Sequence, residues 1–280
     1  MYLLFDIGGT KMRAAVSEDG VSLGDVITVN TPAEFDDAVG FFTDFKGNGI
    51  EKVAGGLPGV LNKEKTLLVR APNLPEWVGV HIRSKLEEIF GTYVFLENDA
   101  ALAGLGEACY GAGKDKNIIG YLTISTGVGG ARIVKRKIDI SSWGFEPGNQ
   151  IIDLDCSVWP DGKISLLNYL TKGSIESYVS GNALEKRCGK PAGEIKEKKV
   201  WNEVEKLLAV FLNNVITLWS PEIIILGGGL VLNNAVSVNN IDNNLHEIFK
   251  AFPETPQIRK SELFDNAGLF GAMALIKDAK

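Results

Sequence analysis

Three short motifs in this chain combine residue types that can hold or transfer a phosphoryl group. Residues 6–11 (DIGGTK) follow an apolar run and place an aspartate before two glycines, a hydroxyl and a lysine. Residues 125–130 (STGVGG) place two hydroxyls before glycines, and residues 97–99 (END) place an amide between two carboxylates. Glycine-rich turns offer backbone N–H groups to phosphates, and a carboxylate can accept the proton of an attacking hydroxyl. The motifs therefore indicate phosphoryl transfer.

Both glycine motifs are predicted to be turns of β-hairpins. Adjacent glycines reach positive φ without steric cost, and strand-like apolar residues lie on both sides of each motif. A glycine pair between strands is usually only a turn. Here, however, the order of strand, hydroxyl and glycine turn, and strand occurs twice. We therefore predict an internal duplication with a cleft between its copies, where both hairpins bind the phosphates of one nucleotide.

The END motif is predicted to lie where a strand over 93–96 meets a small-residue helix over 100–108. In open α/β sheets this end of a strand is where ligands bind. Asn98 or Asp99 can also be a plain helix N-cap, which stabilises a helix by about 1 kcal/mol. The chemical alternative is that Asp99, kept ionised by the helix dipole, accepts the proton of a substrate hydroxyl.

Alternation of strands and helices along the rest of the chain predicts an α/β architecture. We expect a third strand over 21–29, helices over 34–45 and 82–90, and a long helix that leads into a strand over 223–226. The glycines at 227–229 follow that strand, but they lack the spacing of a dinucleotide fingerprint. Residues 111–114 (GAGK) likewise lack P-loop spacing and are predicted to be a turn.

Composition excludes several functional classes. A chain of 280 residues, 45% of them hydrophobic, is long enough for two packed domains. The net charge of -6 argues against a nucleic-acid partner. Three widely spaced cysteines form no Cys-x-x-Cys pair, which favours a reducing compartment. Polar residues interrupt both the first apolar run and the longest one, over 207–232, so we expect neither a signal peptide nor a membrane span, but a cytoplasmic protein.

In their order along nearly the whole chain, these motifs resemble those of the ROK sugar kinases, a family within the actin-like ATPase superfold. Residues 6–11 and 125–130 resemble the two phosphate motifs of the family, and residues 227–229 its adenosine motif. Residues 56–59 (GLPG) resemble its sugar-side proline turn, and residues 97–101 (ENDAA) its catalytic motif. The resemblance implies a two-lobed, ribonuclease H-like α/β fold and a glucokinase-like transferase of carbohydrate metabolism.

What the resemblance implies for the residues is ATP-dependent phosphorylation of a hexose or amino-hexose hydroxyl, with glucose as the default substrate and Asp99 as the general base. The implied sugar contacts are Asn98, Asp99, Glu146, Asn149, Glu176 and Gly59. The implied nucleotide contacts are Asp6, Gly8, Gly9, Thr10, Lys11, Thr126, Gly127, Gly228 and Gly229, and Asp6 would act on Mg²⁺ through water. The expected N-terminal lobe is 1–108 plus 267–280, and the C-terminal lobe is 109–266. A homodimer is expected from the resemblance alone.

The sequence departs from the family at its zinc knuckle. The family's histidine position is Asn149, its last cysteine position is Ser174, and the knuckle between them holds only Cys156. Four-coordinate zinc cannot be built from these residues, so we predict that zinc is absent. Our hypothesis is that an apolar patch of Ile164, Leu167, Leu170, Val158 and Trp159 positions Glu176 instead.

Two other functions remain open. One is a sugar or nucleotide sensor that keeps the fold without turnover, since a sugar-side residue and the zinc knuckle have changed. The other is a kinase of a non-sugar hydroxyl, which would share every nucleotide contact. The family also contains repressors with an N-terminal helix-turn-helix; this sequence starts at its first phosphate hairpin, so we do not expect that class.

Overall fold

A computed structural model describes residues 1–47, 49–155, 157, 158 and 171–278. Within these residues the strands are β1 (Tyr2–Ile7), β2 (Lys11–Ser17), β3 (Ile27–Asn30), β4 (Lys52–Leu57), β5 (Val60–Leu61), β6 (Leu68–Arg70), β7 (Val94–Asn98), β8 (Ile118–Ile124), β9 (Val128–Val134), β10 (Lys137–Ile138), β11 (Ile223–Gly227) and β12 (Gln257–Lys260). The α-helices are α1 (Phe35–Thr43), α2 (Ile82–Phe90), α3 (Asp99–Tyr110), α4 (Glu176–Val179), α5 (Gly181–Cys188), α6 (Lys198–Trp219), α7 (Gly229–Leu232), α8 (Val238–Ile248) and α9 (Ala267–Asp278).

The chain divides into two compact units, each with its own sheet. Unit 1 comprises Met1–Lys114, Arg136–Gly144 and Asp265–Lys280, and unit 2 comprises Asp115–Lys135 and Phe145–Phe264. The lobe boundaries expected from the sequence remain a prediction.

Unit 1 is built on a sheet in the strand order β3-β2-β1-β4-β7. β1 pairs antiparallel with β2 and parallel with β4, and β4 pairs parallel with β7. The predicted first hairpin is therefore confirmed. Because β1, β4 and β7 are parallel, their carboxyl ends, which carry Asp6, Gly56 and Asn98, lie at one edge of the sheet.

In unit 2 the strands β9, β8, β11 and β12 are neighbours in that order, which corresponds to the order β2-β1-β4-β7 in unit 1. β8 pairs antiparallel with β9 over its full length and parallel with β11, which pairs parallel with β12. The predicted second hairpin is confirmed, and the shared strand pattern is what an internal duplication requires. The core of unit 2 forms where α6 buries one face, including Leu208, Phe211 and Val215, against strands β8 and β11.

The third strand is shorter than the sequence predicts. It spans only Ile27–Asn30, whereas we expected a strand over 21–29. The Asp19 carboxylate accepts the backbone N–H groups of Val21 at 2.7 Å and Ser22 at 2.8 Å. These donors are therefore used in a turn and are not available to a strand ladder.

Helices α3 and α9 pack closely in unit 1 because both carry glycines at their contact. A Cβ built on Gly271 would lie 1.8 Å from the carbonyl oxygen of Leu102, and one on Gly106 would lie 2.2 Å from that of Ala267. This packing fixes α3, whose first residue is Asp99, against α9. The small-residue helix predicted over 100–108 is confirmed as α3.

Among the described residues, no helix is both long enough and apolar enough to cross a lipid bilayer.

Candidate active site

The first glycine turn connects β1 and β2 at residues 8–10. Gly8 N–H donates to the carbonyl of Lys11 at 2.8 Å, and Thr10 and Lys11 are exposed. The expectation that the glycine pair uses positive φ is wrong, since neither Gly8 nor Gly9 lies in that region. Gly9 is needed for a steric reason instead, because a Cβ at this position would lie 2.7 Å from the Asn73 Cβ. Gly9 is therefore required because the segment that carries Asn73 approaches it, whereas the Gly8 N–H is used in closing the turn.

Asp6, next to the end of β1, is surrounded by glycines. A Cβ on Gly268 of α9 would lie 2.5 Å from the Asp6 carboxyl carbon, and one on Gly56 of β4 would lie 3.2 Å from Asp6 Oδ1. Burial raises the pKa of Asp6 to about 6; the positive charge of Arg13 opposes this shift and the negative charge of Asp265 adds to it. A carboxylate whose ionisation is penalised by burial is a group that a bound cation stabilises.

Asn98 and Asp99 lie at the junction of β7 and α3. The Asn98 side chain is the N-cap of α3, since its Oδ1 accepts Ala101 N–H at 2.9 Å, and its Nδ2 donates to the Gly59 carbonyl at 3.0 Å. Asp99 Oδ1 accepts Ala100 N–H at 2.8 Å. The capping alternative is therefore confirmed for Asn98.

Asp6 and Asp99 both lie beside Gly56. A Cβ on Gly56 would lie 3.0 Å from the Asp99 Cα and 3.2 Å from Asp6 Oδ1. Both acidic residues thus border the same glycine at the edge of the sheet. Capping and chemistry are compatible, because Asn98 provides the cap and Asp99 is the next residue.

The Gly59 turn is held against the END motif by a charged pair. Gly59 has φ of 112°, and a Cβ there would lie 2.3 Å from the Arg70 carbonyl oxygen, so only glycine fits. Glu97 is buried; its Oε2 binds the Lys65 ammonium, and its Oε1 accepts Asn98 N–H at 3.0 Å. The hairpin β5–β6 therefore fixes Asn98 through Gly59 on one side and through Lys65 and Glu97 on the other.

The second glycine turn, in unit 2, is closed by Ser125 N–H, which donates to the Gly127 carbonyl at 2.9 Å. The start of α5 packs on this turn, with Gly181 N–H donating to the Ser125 carbonyl at 2.7 Å and Asn182 N–H to that of Thr126 at 3.3 Å. These bonds hold the peptides around Thr126 and Gly127, two of the predicted nucleotide contacts.

Glu176 is brought to the same turn from a distant part of the sequence. Its Oε2 accepts Val128 N–H at 3.1 Å. A Cβ on Gly148 would lie 2.9 Å from Glu176 Oε2, and one on Gly127 would lie 3.4 Å from Oε1. A predicted sugar contact and a predicted nucleotide contact, Glu176 and Gly127, are therefore neighbours in unit 2.

Glu146 and Asn149 form a second polar group in unit 2. Asn149 Nδ2 donates to Glu146 Oε2 at 3.3 Å, and the Thr171 hydroxyl donates to Asn149 Oδ1 at 3.1 Å. The Thr171 hydrogen bond orients the amide so that its NH₂ group faces the Glu146 carboxylate.

Gly228 and Gly229 follow β11 and begin the one-turn helix α7. Gly228 has φ of 86°, and a Cβ there would lie 2.4 Å from the Ile124 carbonyl oxygen. Only glycine therefore fits at this predicted adenosine position, where the backbone packs on the end of β8.

The acidic residues fit a magnesium ion held together with substrate phosphates. Mg²⁺ is usually bound by one or two carboxylates plus phosphate oxygens, and Asp6 with its raised pKa is a carboxylate that such an ion would stabilise. The described residues contain no cluster of three or more His, Cys, Asp or Glu side chains that could hold a metal by themselves. The absence of zinc stays a prediction, since Cys156 lies outside the described residues.

The apolar patch proposed to replace the zinc knuckle also lies largely outside them. This applies to Ile164, Leu167, Leu170 and Trp159. The remaining member, Val158, is 42% exposed.

Sequence reasoning did not identify several residues that support the site. Among them are Gly268 and Gly148, whose missing side chains leave room for Asp6 and Glu176. The hydrogen bond between Tyr178 and Asp153 and the Lys65–Glu97 pair join residues far apart in sequence. One signal was available: a glycine inside a helix costs stability, so Gly268 had to have a packing reason.

Comparison with known proteins identifies the family. The ROK family model matches residues 2–279. The chain belongs to the ROK family. It is 27% identical to the glucokinase of Thermotoga maritima over 98% of this chain and 96% of that protein. It is 28% identical to the N-acetyl-D-glucosamine kinase of Vibrio atlanticus over 98% and 99% of the two chains.

Solved structures of ROK proteins share this fold. The ROK hexokinase of Thermus thermophilus has a TM-score of 0.79 at 27% identity, covering 99% of both chains. The ROK family glucokinase of Streptomyces griseus, solved with glucose and AMPPNP, has a TM-score of 0.78 at 25% identity, covering 98% of both chains. The α/β fold is therefore that of the actin-like ATPases, as the motifs predicted.

Proposed function

We propose that this protein is a sugar kinase that transfers the γ-phosphoryl group of ATP to a hydroxyl of a hexose or amino-hexose. The observation that carries the proposal is the pair of acidic residues, Asp6 and Asp99, that border Gly56 at one edge of the unit 1 sheet. One carboxylate is suited to a metal-bound phosphate and the other to a hydroxyl nucleophile, which are the two ends of a phosphoryl transfer.

In this proposal Asp99 is the general base and Asn98 holds the sugar. Asn98 keeps one amide N–H after its bond to Gly59, and that N–H is available to a sugar oxygen. Asp99 accepts the proton of the attacking hydroxyl as the bond to phosphorus forms. Because a carboxylate is a modest base, orientation of the hydroxyl contributes much of the rate acceleration.

Nucleotide binding is assigned to the glycine turns. In unit 1, Gly8, Gly9, Thr10 and Lys11 offer N–H groups, a hydroxyl and an ammonium to phosphates. In unit 2, Thr126 and Gly127 do the same, and Gly228 and Gly229 let an adenosine approach the backbone. Asp6 would hold magnesium through water, and the bound ion would neutralise charge on the phosphates.

Sugar recognition is assigned to Asn98, Gly59, Glu146, Asn149 and Glu176. The two carboxylates can accept hydrogen bonds from sugar hydroxyls, and the Asn149 amide lies within hydrogen-bond distance of Glu146. Related proteins phosphorylate different sugars, to judge from their names: glucokinase in one case and N-acetyl-D-glucosamine kinase in another. Glucose is our default substrate, and Asn149 is the residue we expect to distinguish it from other hexoses.

The test is ADP release from Mg·ATP across glucose, mannose, fructose, allose, N-acetylglucosamine and N-acetylmannosamine. We expect turnover on at least one sugar and a loss of kcat of ~10²–10⁴-fold in Asp99→Asn, because the general base is removed while binding is kept. Asp44→Asn, an exposed acid at the end of α1, is the matched control and should be unchanged.

Other outcomes would point to the remaining functions. Tight binding of a sugar without ADP release would support a sensor of the same fold. Binding of Mg·ATP with neither sugar binding nor turnover would support a kinase of a non-sugar hydroxyl. Turnover that survives in Asp99→Asn would remove Asp99 from the mechanism.

A further inference from the structure

The segment after Asn149 and the segment before Glu176 are joined by backbone hydrogen bonds. Ile175 N–H donates to the Gln150 carbonyl at 2.8 Å, and Ile152 N–H donates to the Gly173 carbonyl at 2.9 Å. A Cβ on Gly173, whose φ is 76°, would lie 2.3 Å from the Asp153 carbonyl oxygen. The two segments therefore touch through their backbones directly before α4, the helix that begins with Glu176.

A buried side-chain hydrogen bond completes this connection. The Tyr178 hydroxyl donates to Asp153 Oδ2 at 2.6 Å; Tyr178 is fully buried and Asp153 is only 9% exposed. The Asp153 carboxylate also accepts Val158 N–H at 2.8 Å and the Ser157 hydroxyl at 3.1 Å. A buried acceptor with this many donors is held firmly, and its bond to the tyrosine is charge-assisted.

The Asp153 carboxyl is ionised at neutral pH. Desolvation raises its pKa, but the hydrogen bonds from Tyr178, Val158 and Ser157 outweigh that effect and lower the pKa to about 2. The charge of Asp153 thus persists across the whole range in which an enzyme of this type would be assayed.

Tyr178 and Glu176 lie on opposite sides of the single turn of α4. Two residues advance a helix by about 200°. On one side, Glu176 accepts Val128 N–H at 3.1 Å beside Gly127 and Gly148. On the other side, Tyr178 is bound to Asp153. A helix of one turn has little stability of its own, so its position depends on these hydrogen bonds and on the burial of Tyr178 and Val179 in the core of unit 2.

We propose that Asp153 and Tyr178 are positioning residues for Glu176, which they hold at the second glycine turn from the far side of α4. The importance of this for catalysis rests on the proposed function, in which Glu176 binds a sugar hydroxyl. The hydrogen bonds on which the proposal rests join described residues. A small displacement of Glu176 would weaken sugar binding while the nucleotide contacts of unit 1 stay in place.

The first test is structural and independent of activity. Tyr178→Phe removes only the hydroxyl, and the Val128 amide in valine-selective ¹⁵N spectra reports the hydrogen bond to Glu176. We expect the Val128 amide proton to move in Tyr178→Phe in the same direction as in Glu176→Gln. Tyr110→Phe, which changes a tyrosine of unit 1, is the control and should leave the Val128 signal unchanged. A Val128 signal that moves in Glu176→Gln but not in Tyr178→Phe overturns the proposal.

The second test is kinetic. Tyr178→Phe and Asp153→Asn should each raise the sugar KM by about tenfold, with the ATP KM within about twofold of the original value. A purely structural role would instead lower Tm and change both KM values together, which contradicts the proposal. If no sugar is turned over by the unmodified protein, the proposed function fails, and the Val128 measurement alone still decides the positioning role.

Discussion

The two hairpins share a backbone plan but obtain their carboxylates in different ways. Each has a strand that pairs antiparallel with the next strand and parallel with a later one: β1 with β2 and β4, β8 with β9 and β11. In the first, the acid is Asp6 of β1 itself. In the second, the turn carries hydroxyls, and the acid Glu176 comes from α4 and binds Val128 N–H.

The difference shows that the duplicated fold determines the strand pairing but not the source of the acidic residue. Both hairpins have a glycine turn between their paired strands. The acid depends on a neighbour: Gly268 of α9 leaves room for Asp6, and Gly148 leaves room for Glu176. Each half therefore has one glycine whose enlargement should displace its own acid and no other.

Gly268→Ala should have the larger effect. Its Cβ would lie 2.5 Å from the Asp6 carboxyl carbon, so Asp6 must move, and we expect kcat/KM for Mg·ATP to fall by ~10²-fold. Gly40→Ala is the matched control, because it lies in α1 with no heavy atom within 4 Å of the added carbon. That control should gain about 0.5–1 kcal/mol of stability and keep full activity.

Gly148→Ala should affect the sugar instead. The added carbon would lie 2.9 Å from Glu176 Oε2 and 2.2 Å from the Val128 carbonyl, so we expect about a tenfold rise in sugar KM and a loss of about 1–3 kcal/mol in stability. Gly193→Ala, with open space around it, is the control. If both variants changed the ATP KM and the sugar KM equally, the claim that each glycine makes room for a separate acid would be contradicted.

The raised pKa of Asp6 predicts a stability that depends on pH. Its pKa is about 6 when folded against 3.8 for the ordinary group, so the folded protein binds more protons in that interval. The free energy of unfolding should therefore fall as pH rises from about 4 to 6. Without metal and nucleotide, Asp6→Asn should be more stable at pH 8 by about 1–3 kcal/mol in denaturant melts.

The same variant should lose binding of Mg·AMPPNP, measured by calorimetry. In the unmodified protein this binding should weaken below about pH 6, as Asp6 takes up a proton. A stability curve for Asp6→Asn that runs parallel to the original contradicts the burial of this charge.

Ser174 offers the smallest effect. Its hydroxyl is buried and has no hydrogen-bond partner among the described residues, so Ser174→Ala should stabilise the protein by up to about 1 kcal/mol. Ser177→Ala is the opposite case, because the Ser177 hydroxyl donates to the Ser174 carbonyl at 2.6 Å. It should destabilise by about 1 kcal/mol. Thermal melts of the two variants that shift in the same direction would contradict this difference.

The sequence predicted correctly those elements that depend on residues close together in the chain. The glycine turns predicted both hairpins, and helical spacing predicted α2 at the residues where it occurs. The third strand was overestimated because one side chain, Asp19, binds the N–H groups that a ladder would need. The positive φ predicted for Gly8 and Gly9 was wrong. The residue type alone does not reveal whether a glycine is needed for its backbone conformation or because a Cβ would clash with a neighbour.

The support around the acids could not be predicted, because it depends on contacts between distant segments. Nothing near Gly268 in the sequence indicates Asp6, and nothing near Asp153 indicates Tyr178. The family resemblance proposed roles for Asp99 and Glu176, but the residues that hold them in place emerge only once the strands have paired and the helices have packed.

The position of α9 has a consequence for the order in which the protein is made. Asp6 is synthesised well before Gly268 and the rest of α9, which pack beside it. Until α9 has docked, one wall around Asp6 is missing and its carboxylate stays hydrated. On the proposed function, a chain that lacks α9 should therefore bind Mg·ATP more weakly than the whole chain, even if both glycine hairpins have formed.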